Sequence, residues 1–236
     1  MLLNACKSES SPPILGGTGD DGLTGTPQAD LIRGFAGEDR IEGLEGDDSL
    51  HGMPGRDTLY GGEGHDAVDG GTYADRAFGG PGIDRLVGYD GQDRLYGGGE
   101  PDALWGGQDD DHLYAGGGGG SAKGGPGEDE VVGGDGRDRL DGEADDDQVS
   151  GGPGDDRLEG GGGEDLLDGQ DGDDSLFGET DRDTILGGNG NDFIDGVDGI
   201  SGDRIDCGSG PADIAQVDAG DEATHCETLL TVEGRR

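Results

Sequence analysis

A period of nine residues governs this chain and restricts what it can fold into more than any other feature. Beginning with Gly16-Gly17-Thr18-Gly19-Asp20-Asp21-Gly22-Leu23-Thr24, twenty units follow one another without insertion or deletion. The last is Gly187-Gly188-Asn189-Gly190-Asn191-Asp192-Phe193-Ile194-Asp195. Position one is glycine except at Ala115, and position six is aspartate except at Gly120, so both exceptions fall in one unit. Position eight is Leu, Ile or Val except at Ala77 and Ala122, while positions seven and nine vary freely.

This pattern reads as a turn followed by a short strand. Glycine adopts positive φ at little cost, so the first six residues can fold tightly. In a three-residue strand the central side chain faces one side and its neighbours the other, which turns position eight inward. One unit cannot bury its single aliphatic residue. Successive units must therefore alternate between two facing sheets, two units making a coil of 18 residues. The expectation is an all-β fold: a right-handed parallel β-roll (β-solenoid) of about ten two-unit coils, roughly 45 Å long at about 4.8 Å per strand. It would occupy residues 16–195, after a tail at 1–15 and before a small C-terminal cap at 196–236. A cap is expected because an open solenoid end exposes apolar groups and unpaired strand atoms.

Such stacking has an electrostatic consequence. Acids outnumber bases 56 to 15, giving a formal charge of −41, and only 28% of residues are hydrophobic. Composition of this kind favours disorder unless cations neutralise the chain, and it makes nucleic acid, acidic lipid surfaces and other polyanions poor partners while leaving cationic ones open. In the roll, Asp21, Asp39 and Asp57 begin one column and Asp30, Asp48 and Asp66 the other. Carboxylates about 5 Å apart repel by roughly 1 kcal/mol even in water. A hard cation with six to eight oxygen ligands, drawn from carboxylates and turn carbonyls, removes that repulsion. Calcium fits; magnesium is too strict in geometry. Zinc is disfavoured because His51, His65, His112 and His225 stand at unrelated positions and the cysteines form no close pairs. About 18 calcium ions at most would lie between stacked turns, bringing the charge to about −5. Folding and binding would be one event, with an extended metal-free chain that closes at roughly 0.1 to 1 mM calcium.

The unit Gly-Gly-x-Gly-x-Asp-x-aliphatic-x, as in residues 187–195 and 151–159, resembles the RTX or haemolysin-type calcium-binding repeat. The resemblance implies that each ion sits between stacked turns on position-six aspartates and turn carbonyls. That role is carried onto Asp21, Asp30, Asp39, Asp48, Asp57, Asp66, Asp75, Asp84, Asp93, Asp102, Asp111, Asp129, Asp138, Asp147, Asp156, Asp165, Asp174, Asp183 and Asp192. Position four departs from glycine at Gln28, Tyr73, Glu100, Asp109, Asp145 and Asp181, where weaker or altered sites are expected. The unit 115–123, with Gly120 and Lys123, is expected to lack a good site and to divide the roll into two cooperative segments. Cys207 and Cys226 are placed like the cysteines of caps on exported bacterial members of this family, which implies a disulfide; the alternative is two buried thiols. A bond fits export into an oxidising, calcium-rich space.

Export also bears on the ends. Leu3-Asn4-Ala5-Cys6 looks like the end of a bacterial lipoprotein signal, so Cys6 is a candidate for a lipid anchor, the alternative being an incidental thiol. The tail, with its cysteines and Gly234-Arg235-Arg236, does not resemble a type I secretion signal. Apolar runs of two or three residues cannot span a bilayer, and no membrane-active segment supports pore formation. No His-Glu-x-x-His or Gly-x-Ser-x-Gly occurs, and the repeats account for nearly every acid, so no enzyme is expected. Tyr60, Phe78, Tyr96 and Tyr114 recur at position nine of one face, with Arg76 and Arg94 beside them. They form either a platform for a cell-surface glycan or protein partner, or a packed row that stiffens the sheet. Together these readings describe a secreted or cell-surface bacterial protein that folds on calcium and serves as a structural or adhesive module. The alternative is an accessory calcium-binding module of a secreted RTX-type enzyme or toxin system.

Overall fold

In the computed structural model, which describes residues 12–232, the alternation of units between two sheets is realised. Thirteen strands form one parallel sheet and twelve the other, each strand pairing with the strand two further along the chain. Within the repeats the register offset is 18 residues, as in Leu59 against Ala77 and Leu104 against Ala122. Among the described residues no helix is long and apolar enough to cross a membrane.

The roll has about twelve turns, not ten. Before the first complete unit, Ile14–Leu15 already pairs with Leu31–Arg33. After Asp195 the period breaks but the sheets continue. Ile205 pairs with Ile185 and Ala215 with Ile194, at offsets of 20 and 21 residues. The added residues are absorbed in turns, so Arg204–Asp206, Ile214–Asp218, Glu222–Thr224 and Thr228–Val232 stay in the ladders. Counting exact nonapeptides ends too early because a turn tolerates insertion and a strand does not.

Strands are also longer than three residues. Thr58–Glu63 is typical: positions seven to nine run straight, the chain bends at position one, and pairing resumes with Leu44 against Gly62 and Glu45 against Glu63. Position eight faces inward throughout, and from Ile32 to Ile194 every position-eight residue is almost fully buried. These residues form one continuous core, with Ala77 and Ala122 as its thinnest points. Burying a leucine or isoleucine stabilises by about 1.5–3 kcal/mol, so the ladder is a real core although each coil contributes only two such side chains.

On the outer face of the twelve-strand sheet the position-nine aromatics stack ring on ring. Tyr60, Phe78 and Tyr96 have centroids 4.9 Å apart and Tyr96 to Tyr114 is 5.1 Å, with interplanar angles of 5–6°. The Arg40 guanidinium lies over Tyr60, 4.4 Å from its centroid. Sugars stack on ring faces. Here each internal face is covered by the next ring, so the row favours the stiffening role and presents edges outward.

Candidate metal centre

From Asp39 onward each position-six aspartate follows a glycine-rich turn and is held by the coil before it. The amide of Asp39 donates to Asp57 Oδ1 at 2.8 Å, that of Asp75 to Asp93 Oδ1 at 2.7 Å, and that of Asp93 to Asp111 Oδ1 at 2.7 Å. The second column repeats this, as in Asp48 to Asp66 and Asp156 to Asp174. One carboxylate oxygen is thereby fixed. The other, Oδ2, is buried without a hydrogen-bond partner in seventeen aspartates of the two columns. Buried carboxylate oxygens are ordinarily satisfied, and leaving one bare costs about 1–3 kcal/mol or more. A run of them in two columns points to a common missing partner.

Position-one glycines mark where such a partner would be held. A side chain on Gly151 would meet Asp156 Oδ2 at 2.5 Å and Gly169 O at 2.9 Å; one on Gly70 would meet Asp75 Oδ2 at 2.7 Å and Gly88 O at 3.1 Å. Position one is therefore glycine for space, since its φ lies outside the left-handed region. Positive φ belongs instead to position two, where Leu44, Met53 and Tyr89 adopt it, and to position four. Tyr73, Asp109, Asp145 and Asp181 keep the left-handed turn that glycine makes at other position fours, whereas Gln28 and Glu100, each next to a proline, do not.

The paired exception in residues 115–123 follows from the same crowding. Ala115 carries a Cβ where other units have none, and the carboxylate that would collide with it is absent because position six is Gly120. The ladder loses a rung: Gly120 N still donates to Asp138 Oδ1 at 2.5 Å, but no side chain at 120 returns a bond to Asp102 N. Lys123 lies outside the column, its Nζ 2.7 Å from Asp141 Oδ2 and Glu143 Oε1.

Burial sets the electrostatics. In the metal-free fold desolvation raises these carboxyls above the usual range, and neighbouring carboxylates add to it, while the amide hydrogen bond partly offsets both. Asp111 is pushed to about 9, Asp75 and Asp147 to about 8, and Asp93, Asp129, Asp174 and Asp183 to about 7. Asp48, Asp57, Asp66, Asp84, Asp102, Asp156, Asp165 and Asp192 rise to about 6.

Of the nineteen aspartates expected from sequence, those from Asp30 to Asp192 are buried in the columns and Asp21 is half-buried. At the N-terminal end the second oxygen is used locally: Asp21 Oδ2 accepts from Gly17 N at 2.6 Å, and Asp30 Oδ2 from Thr26 N at 2.6 Å. Two members escape the nine-residue period. Asp203 Oδ1 accepts from Asp183 N and Asp213 Oδ1 from Asp192 N, both at 3.0 Å, and both residues are buried. The signal that could have found them is Asp-x-aliphatic in Asp203-Arg204-Ile205 and Asp213-Ile214-Ala215. Asp221 and Glu227 end the columns by accepting the Asp203 and Asp213 amides. No three His, Cys, Asp or Glu side chains converge on one point among the described residues, so the histidines build no zinc-type cluster.

Near the C-terminal end Cys207 and Cys226 form the expected disulfide, with Cα atoms 5.2 Å apart. It ties the two last strands of the twelve-strand sheet, where Cys207 N also donates to Thr224 O at 3.0 Å. Cys6 lies outside the described residues.

The family described as RTX calcium-binding nonapeptide repeat (4 copies) matches residues 15–50, 42–72, 69–103, 94–121, 123–158, 150–185 and 168–200. No curated protein matches the chain.

Proposed function

Because the chain belongs to the RTX calcium-binding nonapeptide repeat family, we propose that it is an extracellular structural or adhesive module whose two aspartate columns hold calcium and whose coils close only when the ions are present. The observation that carries this reading is the double column of buried Oδ2 atoms without a partner. The ligands are the nineteen aspartates in register together with Asp203 and Asp213. Calcium, when bound, supplies two positive charges and accepts six to eight hard oxygen donors.

The chain's own residues do the rest. From Asp39 onward, amides of the preceding coil hold each Oδ1 and so aim each Oδ2. At Gly151, Asp156 Oδ2 and Gly169 O face the same small space, a set of hard donors with no soft ligand among them. Each ion would draw on carboxylates from stacked turns and on backbone carbonyls, since no cluster of three acidic or imidazole side chains supports a side-chain-only site.

A structural role is supported by the outer faces. Ser49 Oγ lies 3.1 Å from His51 Nε2, and His51 Nδ1 lies 3.0 Å from Asp69 Oδ2, an alignment that acyl transfer could use. The Ser49 amide, however, donates to Asp30 O at 2.9 Å and is not free to hold an oxyanion. The row stitches adjacent strands. Export is supported by the disulfide and by the family, whose fold works where calcium is millimolar.

The test is a calcium titration of the full chain followed by calorimetry and far-UV circular dichroism. Cooperative uptake of many ions with a gain of β signal at about 0.1–1 mM is expected. No heat and an unchanged spectrum would sink the proposal.

A further inference from the structure

A groove of about 590 Å³ runs along the edge of the twelve-strand sheet, between the position-five and position-seven rows of adjacent coils. Arg56, Arg76 and Arg94 line its middle. All three are exposed, and none makes an ion pair or side-chain hydrogen bond among the described residues. Arg33, Arg137, Arg182 and Arg204 also lack an ion pair among the described residues, whereas Arg40, Arg85, Arg139, Arg157 and Lys123 find a carboxylate; what sets Arg56, Arg76 and Arg94 apart is that they share one groove. Arg76 and Arg94 are register partners on neighbouring strands, an arrangement of like charges that destabilises a sheet when nothing lies between them.

The acids around the groove are already engaged or peripheral. Asp57 and Asp75 belong to the metal column, and their Oδ1 atoms accept backbone amides. Asp110 Oδ2 accepts from Gln92 Nε2 at 2.9 Å. Glu38 and Asp110 stand at opposite ends of the position-five row, four coils apart. With calcium neutralising Asp57 and Asp75, the middle of the groove is a patch of unanswered guanidinium groups.

We propose that this groove binds an acidic polysaccharide, a linear chain of sugars bearing carboxylates that the guanidinium forks of Arg56, Arg76 and Arg94 grip from successive coils. The inference rests on the calcium reading. Arginine matches a planar carboxylate with two parallel hydrogen bonds, and strands about 4.8 Å apart present such forks at a regular spacing. Thr58 and Gln92 add groups for sugar hydroxyls. Nucleic acid is disfavoured. The chain's net charge opposes every polyanion, so only this local patch favours binding, and the aromatic faces in the adjoining row cover one another and leave none for bases to stack on.

The experiment uses the full chain in 2 mM calcium, a level chosen above the expected folding range of roughly 0.1–1 mM. Calorimetry measures binding of a galacturonate hexamer, a sulfated heparin hexasaccharide and neutral dextran oligomers. Binding of the uronate hexamer, none of dextran, and a loss of about tenfold or more in R76A/R94A are expected, as befits losing charge-assisted bonds. Calcium-induced circular dichroism of the variant should match the parent. Equal binding of dextran, undiminished binding by the variant, a preference for the heparin fragment over the uronate, or no uronate binding by a chain that folds on calcium overturns the groove assignment alone. A chain that fails to take up calcium overturns both readings.

Discussion

Gly151→Ala is the most informative single perturbation of the columns, because its cost depends on a neighbour. The new Cβ would lie 2.5 Å from Asp156 Oδ2 and 2.9 Å from Gly169 O, and the backbone at 151 is not left-handed, so the penalty is steric. Overpacking of this kind costs about 1–3 kcal/mol, offset by about 0.5–1 kcal/mol for replacing glycine in a strand. A net loss of about 1–2 kcal/mol is expected in the calcium-loaded protein, a fall of about 2–8 °C in Tm for a chain of this size. Asp156→Gly alone removes the bond from Asp138 N, 2.8 Å long, and a ligand oxygen, for a loss of at least about 1.5–3 kcal/mol. In the double variant, which copies the Ala115 and Gly120 pairing, the main collision is gone. Adding alanine to the Asp156→Gly background should therefore change Tm little, giving a coupling of about 1–2 kcal/mol in a double-mutant cycle followed by thermal melts. Equal losses from Gly151→Ala in both backgrounds would refute the steric account of position one.

Other outcomes follow from the same geometry. In excess EGTA the raised carboxyls, Asp111 at about 9 and Asp75 and Asp147 at about 8, favour protons in the fold over the unfolded chain. Their contribution to metal-free compactness is complete below the unfolded value near 3.9 and is lost as pH rises through about 6 to 9. Size-exclusion chromatography in EGTA should thus show a smaller particle at pH 5 than at pH 8.5, and the calcium midpoint should move to higher concentration as pH falls. Cys207→Ser/Cys226→Ser opens a loop of sequence separation 19 and should cost about 3 kcal/mol, read as faster proteolysis of the C-terminal coils while the repeats keep their calcium response. Asp203→Asn and Asp213→Asn should each lower the calorimetric calcium stoichiometry if the columns extend beyond the exact repeats; an unchanged stoichiometry would confine the ions to them.

What could be read from the chain divides along physical lines. Position eight was legible because one inward side chain per strand leaves a strict aliphatic mark, and Ile32 to Ile194 are buried as that mark requires. The aspartate columns were legible because register converts a sequence offset of 18 into a spatial neighbour, as in Asp75 and Asp93. Less visible was anything that depends on the facing coil. Position-one glycine reads as a turn residue until Asp156 Oδ2 and Gly169 O are seen to fill the space above Gly151. Asp203 and Asp213 were hidden because insertions in turns break the count without breaking the ladder. The groove of Arg56, Arg76 and Arg94 mixes two repeat positions, and only the coil brings the two rows side by side.

Small-angle X-ray scattering of the purified chain at pH 7.5, in excess EGTA and then in 2 mM calcium, tests the central claim most directly. Cation-dependent closure of the columns predicts a radius of gyration near 50 Å without metal, as for an unfolded chain of 236 residues, falling to about 20 Å for a rod of about twelve turns once calcium is added. A compact, rod-shaped particle of the same size in both conditions would contradict it.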